Sequence, residues 1–289
     1  MRIIRSAQAL SAWSRTLHRE GVVVGLVPTM GALHEGHRSL IHRARLACDA
    51  VVVSLFVNPT QFGPGEDFAR YPRPFKADAA LCRAEGVDVL FAPSAEDMYP
   101  AGFQTTVSVP DLARRWEGAH RPGHFEGVAT VVTKLLGLVK PESAFFGQKD
   151  FQQTVIVRRV IGDLNLGVRL VVCPTVREAD GLALSSRNRY LTPAQRRVAP
   201  VLHEALQAGR TAILRGVRFG SQVVKAMQQV IATEPSVEVD YLDVCDPDRL
   251  EPLARVTKTA VLLGAVRIGR VRLIDNILVT LGESMEYER

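Results

Sequence analysis

Two histidines three residues apart, His34 and His37, lie in a turn that the sequence places between a strand and a helix. An apolar run over residues 22–27 precedes them, and a helical pattern over residues 39–47 follows. A helix start leaves backbone N–H groups without intrahelical partners, and such groups attract anions, phosphate above all. Imidazole N–H groups also donate hydrogen bonds to phosphate oxygens. The turn is therefore predicted to bind a phosphate-bearing ligand through unpaired N–H groups and the two imidazoles.

Further polar side chains follow three other strand-like segments, which end at Val57, Phe146 and Cys173. In an open sheet of parallel strands, the ligand binds beyond the carboxyl ends of the strands. All of these side chains should therefore line one edge of the sheet together with the two histidines. They are amides, carboxylates and cations: Asn58, Gln61, Lys149, Asp150, Glu178 and Arg187. This set suits a polyanion bound beside a second, polar substrate.

The glycines around the histidines do not match the common nucleotide-binding loops. Gly31 and Gly36 have the spacing of a phosphate-binding loop, but His37-Arg38 stands where that loop has Lys-Ser or Lys-Thr. The G-x-G-x-x-G pattern is absent as well, which weakens a nicotinamide or flavin function. What remains is His-x-x-His, then Gly-x-Lys-Asp at 147–150 and Ser-Ser-Arg-Asn at 185–188. Such segments could clamp a triphosphate, with catalysis by positioning and charge neutralisation.

Strand and helix patterns alternate through roughly the first 175 residues. Apolar runs at 22–28 and 50–57, with a helix between them, make one strand–helix–strand unit with parallel strands. The other predicted helices are at 6–19, 77–85 and 128–139, and a further one follows the turn at 147–150 and ends near residue 164. The other predicted strands are at 87–91, 105–109, 144–146 and 169–173. This alternation is typical of the α/β class, here a Rossmann-like, doubly wound parallel sheet.

The pattern changes after Pro174. Helices at 193–214 and 221–232 are followed by strand-like runs at 237–244, 259–266 and 271–279. Helices followed by strands indicate a separate α+β fold, and 289 residues favour two cores over one. We therefore predict two domains: residues 1–175, which carry the parallel sheet, and residues 176–289, a smaller α+β lid domain.

The composition narrows the class of protein. A net charge of +6 and a pI near 9.4 would suit nucleic acid, but no Lys/Arg block and no aromatic–basic platform stands out. No nucleic acid partner is therefore expected. The four cysteines are far apart and are predicted to be buried thiols of a cytoplasmic protein. No apolar run of about 18 residues occurs, so no membrane span is expected.

Five segments of the sequence resemble the pantothenate synthetase (pantoate–β-alanine ligase) family. They occur in the expected order: Pro28–His37, Val57–Phe62, Arg121–Phe125, Phe146–Gln153 and Ser185–Asn188. The HxGH motif alone, His34 to His37, would indicate only a wider superfamily of nucleotidyltransferases. The five segments together are specific for the ligase family, whereas the C-terminal third of the chain is less distinctive.

The resemblance implies an enzyme, an AMP-forming ligase that joins (R)-pantoate to β-alanine with ATP. A pantoate oxygen attacks the α-phosphate of ATP and releases pyrophosphate, and the amine of β-alanine then displaces AMP from pantoyl adenylate. Negative charge builds up on the leaving pyrophosphate, which calls for cationic donors and Mg²⁺. The resemblance further implies that the protein forms a homodimer. It also implies that the protein binds the small-molecule substrates ATP, pantoate and β-alanine.

The resemblance also assigns roles to individual residues. The catalytic candidates are His34, His37 as the proton donor, Lys149 and Arg187. Gln61 should bind pantoate and later β-alanine, and Gln153 should bind pantoate. The residues assigned to ATP are Met30, Gly31, Ala32, Leu33, His34, Glu35, Gly36, His37, Gly147, Gln148, Lys149, Asp150, Val176, Leu184, Ser185, Ser186 and Arg187.

Three positions depart from the usual pattern of the family. Leu184 replaces a methionine, a swap of similar volume that leaves a backbone contact with the nucleotide possible. Asp78 is a candidate ligand for Mg²⁺, but Ala77 stands before it where the family often has a second acid. Glu126 occupies a position that is often basic or polar.

Two other regions are expected to support the site. The loop over residues 58–75, rich in proline and glycine, should act as a lid, because an acyl adenylate hydrolyses in water. Arg121 and His124 should support the substrate residues and take no part in the chemistry.

Two other functions remain open on the sequence alone. One is a related nucleotidyltransferase that acts on another small acid or alcohol; Gln61 and Gln153 favour the ligase over it. The other is a basic module that binds nucleotide or RNA without catalysis. That module explains the basic pI but not the Gly-x-Lys-Asp and Ser-Ser-Arg segments together.

Overall fold

Six parallel strands form the sheet of the first unit, residues 1–176. The structure is a computed structural model and describes residues 1–281. The strands are β1 (Arg2–Ile4), β2 (Val24–Thr29), β3 (Ala50–Leu55), β4 (Val89–Phe91), β5 (Ser143–Gly147) and β6 (Arg169–Cys173). Their order is β1-β4-β3-β2-β5-β6, so the chain winds one way from β2 through β3 and β4 and the other way through β5 and β6. The predicted doubly wound α/β fold is confirmed.

Helices connect these strands because the sheet is apolar on both faces and has to be covered on both. They are α1 (Ala7–Arg19), α2 (Glu35–Ala47), α3 (Phe75–Ala84), α4 (Ala95–Met98), α5 (Pro110–Ala113), α6 (Glu117–His120), α7 (His124–Val139) and α8 (Phe151–Asp163). Ser6 caps α1, with its hydroxyl accepting the N–H of Ala9 at 3.3 Å. Leu40 and Ile41 of α2 belong to the same core cluster as Val51 and Val53 of β3.

The predicted boundaries were wrong in several places. The helix predicted at 39–47 begins at Glu35, because two histidines cap it. The helix predicted at 128–139 begins at His124, and α6 lies in what was predicted to be a loop. Residues 105–109 do not form a strand: the N–H of Val107 bonds to the hydroxyl of Thr130 at 2.9 Å instead of to a neighbouring strand. The short edge strand β1 was not predicted.

The second unit begins at Arg177 and has its own core. Its described strands form an antiparallel sheet in the order β7 (Val237–Cys245), β8 (Thr259–Ile268) and β9 (Val271–Thr280). Its described helices are α9 (Pro193–Val198), α10 (Val201–Leu214) and α11 (Gly220–Ile231). The single helix predicted at 193–214 is therefore two, divided at Pro200, which has no N–H to continue a helix. The smaller α+β fold predicted here is confirmed.

No helix of residues 1–281 combines the length and the apolar character that crossing a membrane requires.

Candidate active site

The site lies where the winding of the parallel sheet reverses. Strands β2 and β5 are neighbours in the sheet although more than a hundred residues separate them in the chain. Their carboxyl ends lead into the turn before α2 and into the 3₁₀ turn Gln148–Asp150. Such a reversal leaves a crevice beyond the strand ends, where open α/β sheets bind their ligands. The topology thus brings the His-x-x-His and Gly-x-Lys-Asp segments to one place.

A buried carboxylate shapes the turn after β2. Gly31 and Ala32 both have left-handed backbone angles, with φ of 86° and 51°. Asp78, from α3, is 3% exposed and accepts the N–H of Ala32 at 2.9 Å and that of Leu33 at 2.8 Å. These two bonds hold a conformation that costs an alanine roughly 1–2 kcal/mol. Asp78 thus fixes the route of the chain from β2 into α2.

Most of the backbone N–H groups that were expected to be unpaired in this turn already have partners. Besides the two groups that Asp78 binds, the N–H of Gly31 donates to the hydroxyl of Thr29 at 3.2 Å. The N–H groups of His34 and Gly36 are bound by the two imidazoles. Because these bonds occupy five backbone N–H groups of the turn, most donors to an anion have to come from side chains.

The two histidines form the N-terminal cap of α2, and a backbone N–H group fixes the proton position of each ring. Nδ1 of His34 accepts the N–H of Gly36 at 3.1 Å, and Nδ1 of His37 accepts the N–H of His34 at 3.3 Å. A neutral imidazole that accepts at Nδ1 carries its proton on Nε2. The ring centroids are 4.1 Å apart. A side chain at position 36 would clash, since its Cβ would lie 2.9 Å from the His34 ring.

The pKa of His37 is lowered to about 3, first by burial and then by His34. Asp150 acts in the opposite direction, and Lys149 adds to the lowering, so the charges of the turn after β5 are felt at His37. By surface area the residue is only half-buried, so water weakens this shift. Both facts leave His37 neutral near pH 7, with an Nε2–H group as its donor.

The turn after β5 supplies the cation. Lys149 Nζ lies 3.7 Å from Asp150 Oδ1, and the Lys149 side chain is 21% exposed. A Cβ on Gly147 would meet no heavy atom within 4 Å, so this glycine is not required by a close approach. Because the charges of Lys149 and Asp150 act on His37, both residues lie near the histidine pair.

Gln61 is held by contacts on both its amide and its backbone, in the 3₁₀ turn Pro59–Gln61. It is 6% exposed; its Nε2 lies 3.1 Å from the sulfur of Met30, and its Oε1 accepts from Asn58 Nδ2 at 3.1 Å. Asn58 has one orientation because its Oδ1 accepts the hydroxyl proton of Tyr99 at 2.8 Å. The Gln61 amide thus presents its N–H side towards the turn after β2. Sequence reasoning placed Asn58 at this edge but gave it no role, and missed Tyr99 altogether.

The backbone of Gln61 is tied to the start of α7. His124 Nδ1 lies 2.8 Å and Arg121 Nη2 lies 3.3 Å from the Gln61 carbonyl oxygen. Arg121 also binds both oxygens of Glu66, at 2.8 and 2.7 Å. Burial, and next the charge of Arg121, lower the pKa of His124 to about 4. Arg121 and His124 support Gln61, which is the kind of role the sequence suggested, and Glu66 joins them.

The two glutamines of α8 differ in their surroundings. Gln152 is buried and holds the segment before α7: it donates to the carbonyls of Leu112 and Arg115, each at 2.8 Å, and accepts the N–H of Glu117 at 3.0 Å. Gln153, the predicted pantoate residue, is half-buried. Within residues 1–281 no side-chain hydrogen bond engages its amide. Gln152 is thus a structural residue, and Gln153 keeps its amide available.

The prediction that Asp78 binds Mg²⁺ finds no support in this geometry. Both of its oxygens already accept backbone N–H groups, and the carboxylate is buried. No group of three or more His, Cys, Asp or Glu side chains that could hold a metal ion occurs in the described part of the chain. Asp78 serves the turn after β2 instead.

The remaining predicted nucleotide residues lie at the unit boundary and in the second unit. Val176 is the last residue of the first unit, and Leu184 to Arg187 follow a short hairpin of the second. Ser185 begins the 3₁₀ turn Ser186–Tyr190 and accepts the N–H of Arg187 at 3.2 Å. Asn188, which was not predicted to have a role, donates to the carbonyl of Ala183 at 3.0 Å.

Comparison with known proteins identifies the reaction. The Pantoate-beta-alanine ligase family model matches residues 2–278. The chain is 48% identical over 283 residues to the pantothenate synthetase of Moorella thermoacetica, an alignment that covers 98% of this chain and all of that one. The chain belongs to the pantoate–β-alanine ligase family. It is therefore an enzyme that joins pantoate to β-alanine and uses ATP as a substrate.

Solved structures agree with this assignment. The crystal structure of pantothenate synthetase from Thermus thermophilus matches with a TM-score of 0.91 and 49% identity, and covers 96% of this chain and 99% of that one. The ligase from Francisella tularensis, crystallised with "Beta-gamma ATP" and β-alanine, matches with a TM-score of 0.78 and 35% identity over 98% of this chain and all of that one. Nothing in these comparisons favours the alternative nucleotidyltransferase.

Proposed function

We propose that the enzyme makes pantothenate through a pantoyl-adenylate intermediate. A carboxylate oxygen of pantoate attacks the α-phosphorus of ATP, the bond to the β-phosphate breaks, and pyrophosphate leaves. The amine of β-alanine then attacks the acyl carbon, loses a proton, and AMP leaves with the electrons of the acyl–oxygen bond. The observation that carries this proposal is the meeting of the histidine pair, Lys149 and the Gln61 amide at the reversal between β2 and β5.

The histidines and Lys149 serve the first step. Negative charge grows on the bridging and terminal oxygens of the departing pyrophosphate, and donors already in place stabilise it without reorganisation. His34 and His37 each carry an Nε2–H group, and Lys149 carries a positive charge. In this scheme a bound triphosphate raises the low pKa of His37, which lets it act as the proton donor. Residues 30–37 and 147–150 surround the nucleotide.

The two amides serve the acid. Gln61 presents an N–H group that suits the carboxylate or hydroxyl groups of pantoate, and it can afterwards hold β-alanine in the same place. Gln153 offers the second amide. Two neutral donors fix the pantoate carboxylate in place. An arginine would instead form a strong ion pair with the carboxylate and so lower its reactivity as a nucleophile.

The residues at and beyond the unit boundary complete the nucleotide site in this proposal. Val176 contacts the adenine through its backbone, as the resemblance implies. Leu184, Ser185 and Ser186 approach the phosphates through hydroxyl and N–H groups, and Arg187 neutralises their charge with its planar guanidinium. The crystallised relative from Francisella tularensis, described as a complex with an ATP species and β-alanine, supports a site for both molecules.

Magnesium enters this scheme bound to the nucleotide. Mg²⁺ is commonly held by substrate phosphates, water molecules and only one or two carboxylates. Because Asp78 is committed to the turn after β2, we infer that the phosphates supply most of the ligands. The ion would neutralise charge on the pyrophosphate.

Isotope exchange tests the intermediate. With pantoate and Mg²⁺ present and β-alanine absent, the enzyme should exchange labelled pyrophosphate into ATP, and omission of pantoate should abolish the exchange. His37→Ala and Lys149→Ala should slow the exchange on the order of 10²-fold, since each removes a transition-state donor. Absence of exchange, with ADP as the product once β-alanine is added, would exclude the adenylate.

We further propose that the enzyme is a cytoplasmic homodimer. All four cysteines are buried free thiols, which fits a reducing compartment. The homodimer is implied by the family resemblance, and sedimentation of the purified protein at twice its 31.7 kDa mass would support it.

A further inference from the structure

One charged cluster in the second unit is unused by the proposed chemistry. Asp275 lies on β9 and is 5% exposed. Its two oxygens accept from Arg177 Nη1 at 2.6 Å and from Arg177 Nη2 at 2.9 Å, and Oδ1 also accepts the N–H of Asn276 at 2.8 Å. Burial by itself would raise the pKa of Asp275, but the nearby His203 and the bonds from Arg177 outweigh it and hold the pKa below its usual value. The carboxylate is therefore charged and paired.

Arg177 anchors a short hairpin to this carboxylate. Its backbone pairs with Ala183 in an antiparallel bridge, and its Nη1 also donates to the carbonyl of Gly181 at 3.0 Å. Gly181 has φ of +92°, and a Cβ there would lie 2.3 Å from Cδ2 of His203. The tip of the hairpin is thus packed against α10 as well as fixed to β9.

His203 closes the third side of the cluster. Its Nδ1 lies 3.7 Å from Asp275 Oδ2, and its Nε2 lies 3.3 Å from Nε2 of Gln207. With Gln207 donating to Nε2, a neutral His203 carries its proton on Nδ1, which faces the carboxylate. Both neighbours of Asp275 therefore direct positive charge or an N–H group towards it.

The hairpin sets the geometry of the segment that follows it. The carbonyl of Ala183, the last paired residue of the hairpin, accepts Asn188 Nδ2 at 3.0 Å. The N–H of Asn188 returns to the carbonyl of Ser185 at 3.1 Å, and Ser185 Oγ accepts the N–H of Arg187. Residues 184–187 are therefore held between two points whose positions depend on Arg177.

We propose that the buried Arg177–Asp275 pair is a positioning device for residues 184–187, and so for the phosphate contacts of Ser185, Ser186 and Arg187. This inference rests on the proposed function. A buried ion pair often stabilises a fold no more than apolar residues of the same volume would, but its hydrogen bonds require one geometry. Arg177 is also the first residue of the second unit, so the pair fixes where the chain enters it.

Asp240 provides a matched control in the same sheet. This carboxylate, on β7, accepts from Arg267 Nε at 2.8 Å and from Arg272 Nε at 2.5 Å. Its arginines lie on β8 and β9, and neither belongs to the hairpin that leads into residues 184–187. Asp240→Asn therefore removes a comparable charge pair from the same unit without touching the hairpin.

The experiment compares Asp275→Asn with Asp240→Asn. We expect Asp275→Asn to raise the KM for ATP on the order of tenfold and to leave the KM for β-alanine within about twofold. Amide hydrogen exchange in residues 178–188, measured by mass spectrometry without ligands, should speed up by a similar factor. Asp240→Asn should change neither quantity. Arg177→Lys, which keeps the charge but loses the paired contact, serves where Asp275→Asn fails to fold and should show the same pattern more weakly.

Two results would overturn the proposal. Wild-type exchange rates at 178–188 in Asp275→Asn would show that the pair does not hold the segment. Equal changes in both aspartate variants would show a general loss of stability. If the wild-type enzyme lacks pantoate-dependent pyrophosphate exchange, the adenylate mechanism fails, and the hydrogen-exchange comparison still decides the positioning role.

Discussion

The proton positions of single side chains decide how the substrate residues are held. His124 is 9% exposed and donates from Nδ1 to the Gln61 carbonyl, while its Nε2 lies 3.1 Å from Arg121 Nη1. An Nε2 that accepts from a guanidinium cannot take up a proton without placing two positive charges against each other. The pKa of about 4 follows from this contact together with burial. Neutral His124 is thus part of the folded structure around Gln61.

We expect this histidine to make stability depend on pH. In the unfolded chain the pKa of His124 is near 6.5, so between pH 6.5 and 4 His124 is protonated in the unfolded state and neutral in the folded state. The free energy of unfolding should therefore fall as the pH falls through this range, by up to about 1.4 kcal/mol per pH unit from His124 alone. Above pH 6.5 the contribution is constant. Denaturant titrations at several pH values measure the slope.

His124→Asn is the control, because asparagine keeps a side-chain N–H donor for the Gln61 carbonyl and cannot titrate. The low pKa of His37 acts in both proteins and cancels in the comparison. The curve of the variant should be flatter than that of the wild type between pH 4 and 6.5. Parallel curves would mean that His124 already shares its pKa with the unfolded chain.

The position of a residue in the site could be predicted from the sequence where its role needs a particular chemical group. The types and spacing of His34, His37 and Lys149 placed them at one edge of the sheet, the family resemblance gave them catalytic roles, and the structure brings them near one another. Asp78 and Asn58 could not be assigned in this way. Their roles are to bind the backbone of one turn and to orient the amide of another, and those partners are adjacent only in the folded chain.

At the scale of elements, the close approach of α7 to the turn Pro59–Gln61 positions the substrate amide. Asn58 Nδ2 donates to the carbonyl of Gly127, in α7, at 3.1 Å. A Cβ on Gly127 would lie 2.4 Å from the carbonyl oxygen of Thr60 and 2.6 Å from the N of Gln61. Both are backbone atoms, so a side chain here forces the helix and the turn apart.

We expect Gly127→Ala to raise the KM for pantoate on the order of tenfold and to lower the melting temperature, since overpacking costs typically 1–3 kcal/mol. The KM for ATP should change much less, because the three nearest atoms that a Cβ on Gly127 would meet do not belong to the turn that carries His34 and His37. Gly137→Ala is the matched control on the same helix: a Cβ there meets no atom within 4 Å. It should stabilise the protein by about 0.5–1 kcal/mol and leave both KM values unchanged. Equal KM values in the two variants would contradict the positioning role.

Sequence patterns predicted the order and type of most elements but not their ends. Strands β2, β3 and β5 correspond to continuous apolar runs, and such runs indicate strands that are buried on both faces. The start of α2 was missed because histidine is an unusual cap, and its capping bonds depend on the neighbouring ring. Residues 105–109 have the composition of a strand, but the bond from Val107 to Thr130 takes the place of strand pairing.

At the scale of the whole molecule, the sequence pattern changes near Pro174, and the second compact unit of the structure begins at Arg177. The parallel sheet and the antiparallel sheet each have their own core. The sequence shows this division as a change from alternating strand and helix patterns to two helices followed by three strands. The roles of Arg177 and Asp275 could not be predicted, since almost a hundred residues separate two charges that ordinarily would be exposed.

The net charge of +6 belongs to the whole molecule and has a measurable consequence for its substrates. ATP is a polyanion, whereas β-alanine is a zwitterion with no net charge. A positive protein therefore concentrates ATP near its surface and hardly affects β-alanine. Salt weakens this attraction, since the screening length falls from about 10 Å at 0.1 M to about 3 Å at 1 M.

We expect an increase in KCl from about 0.05 to about 0.5 M to raise the KM for ATP several-fold and to leave the KM for β-alanine within about twofold. Steady-state kinetics at fixed pH and fixed free Mg²⁺ measure both constants in the same preparation. Sucrose at matched viscosity controls for slower diffusion, and it should change the two constants alike. If both KM values rise together with salt, the charge of the protein acts on its fold and not on its encounter with ATP. A rise confined to ATP means that the basic pI, which at first suggested nucleic acid, is explained by a small polyanionic substrate.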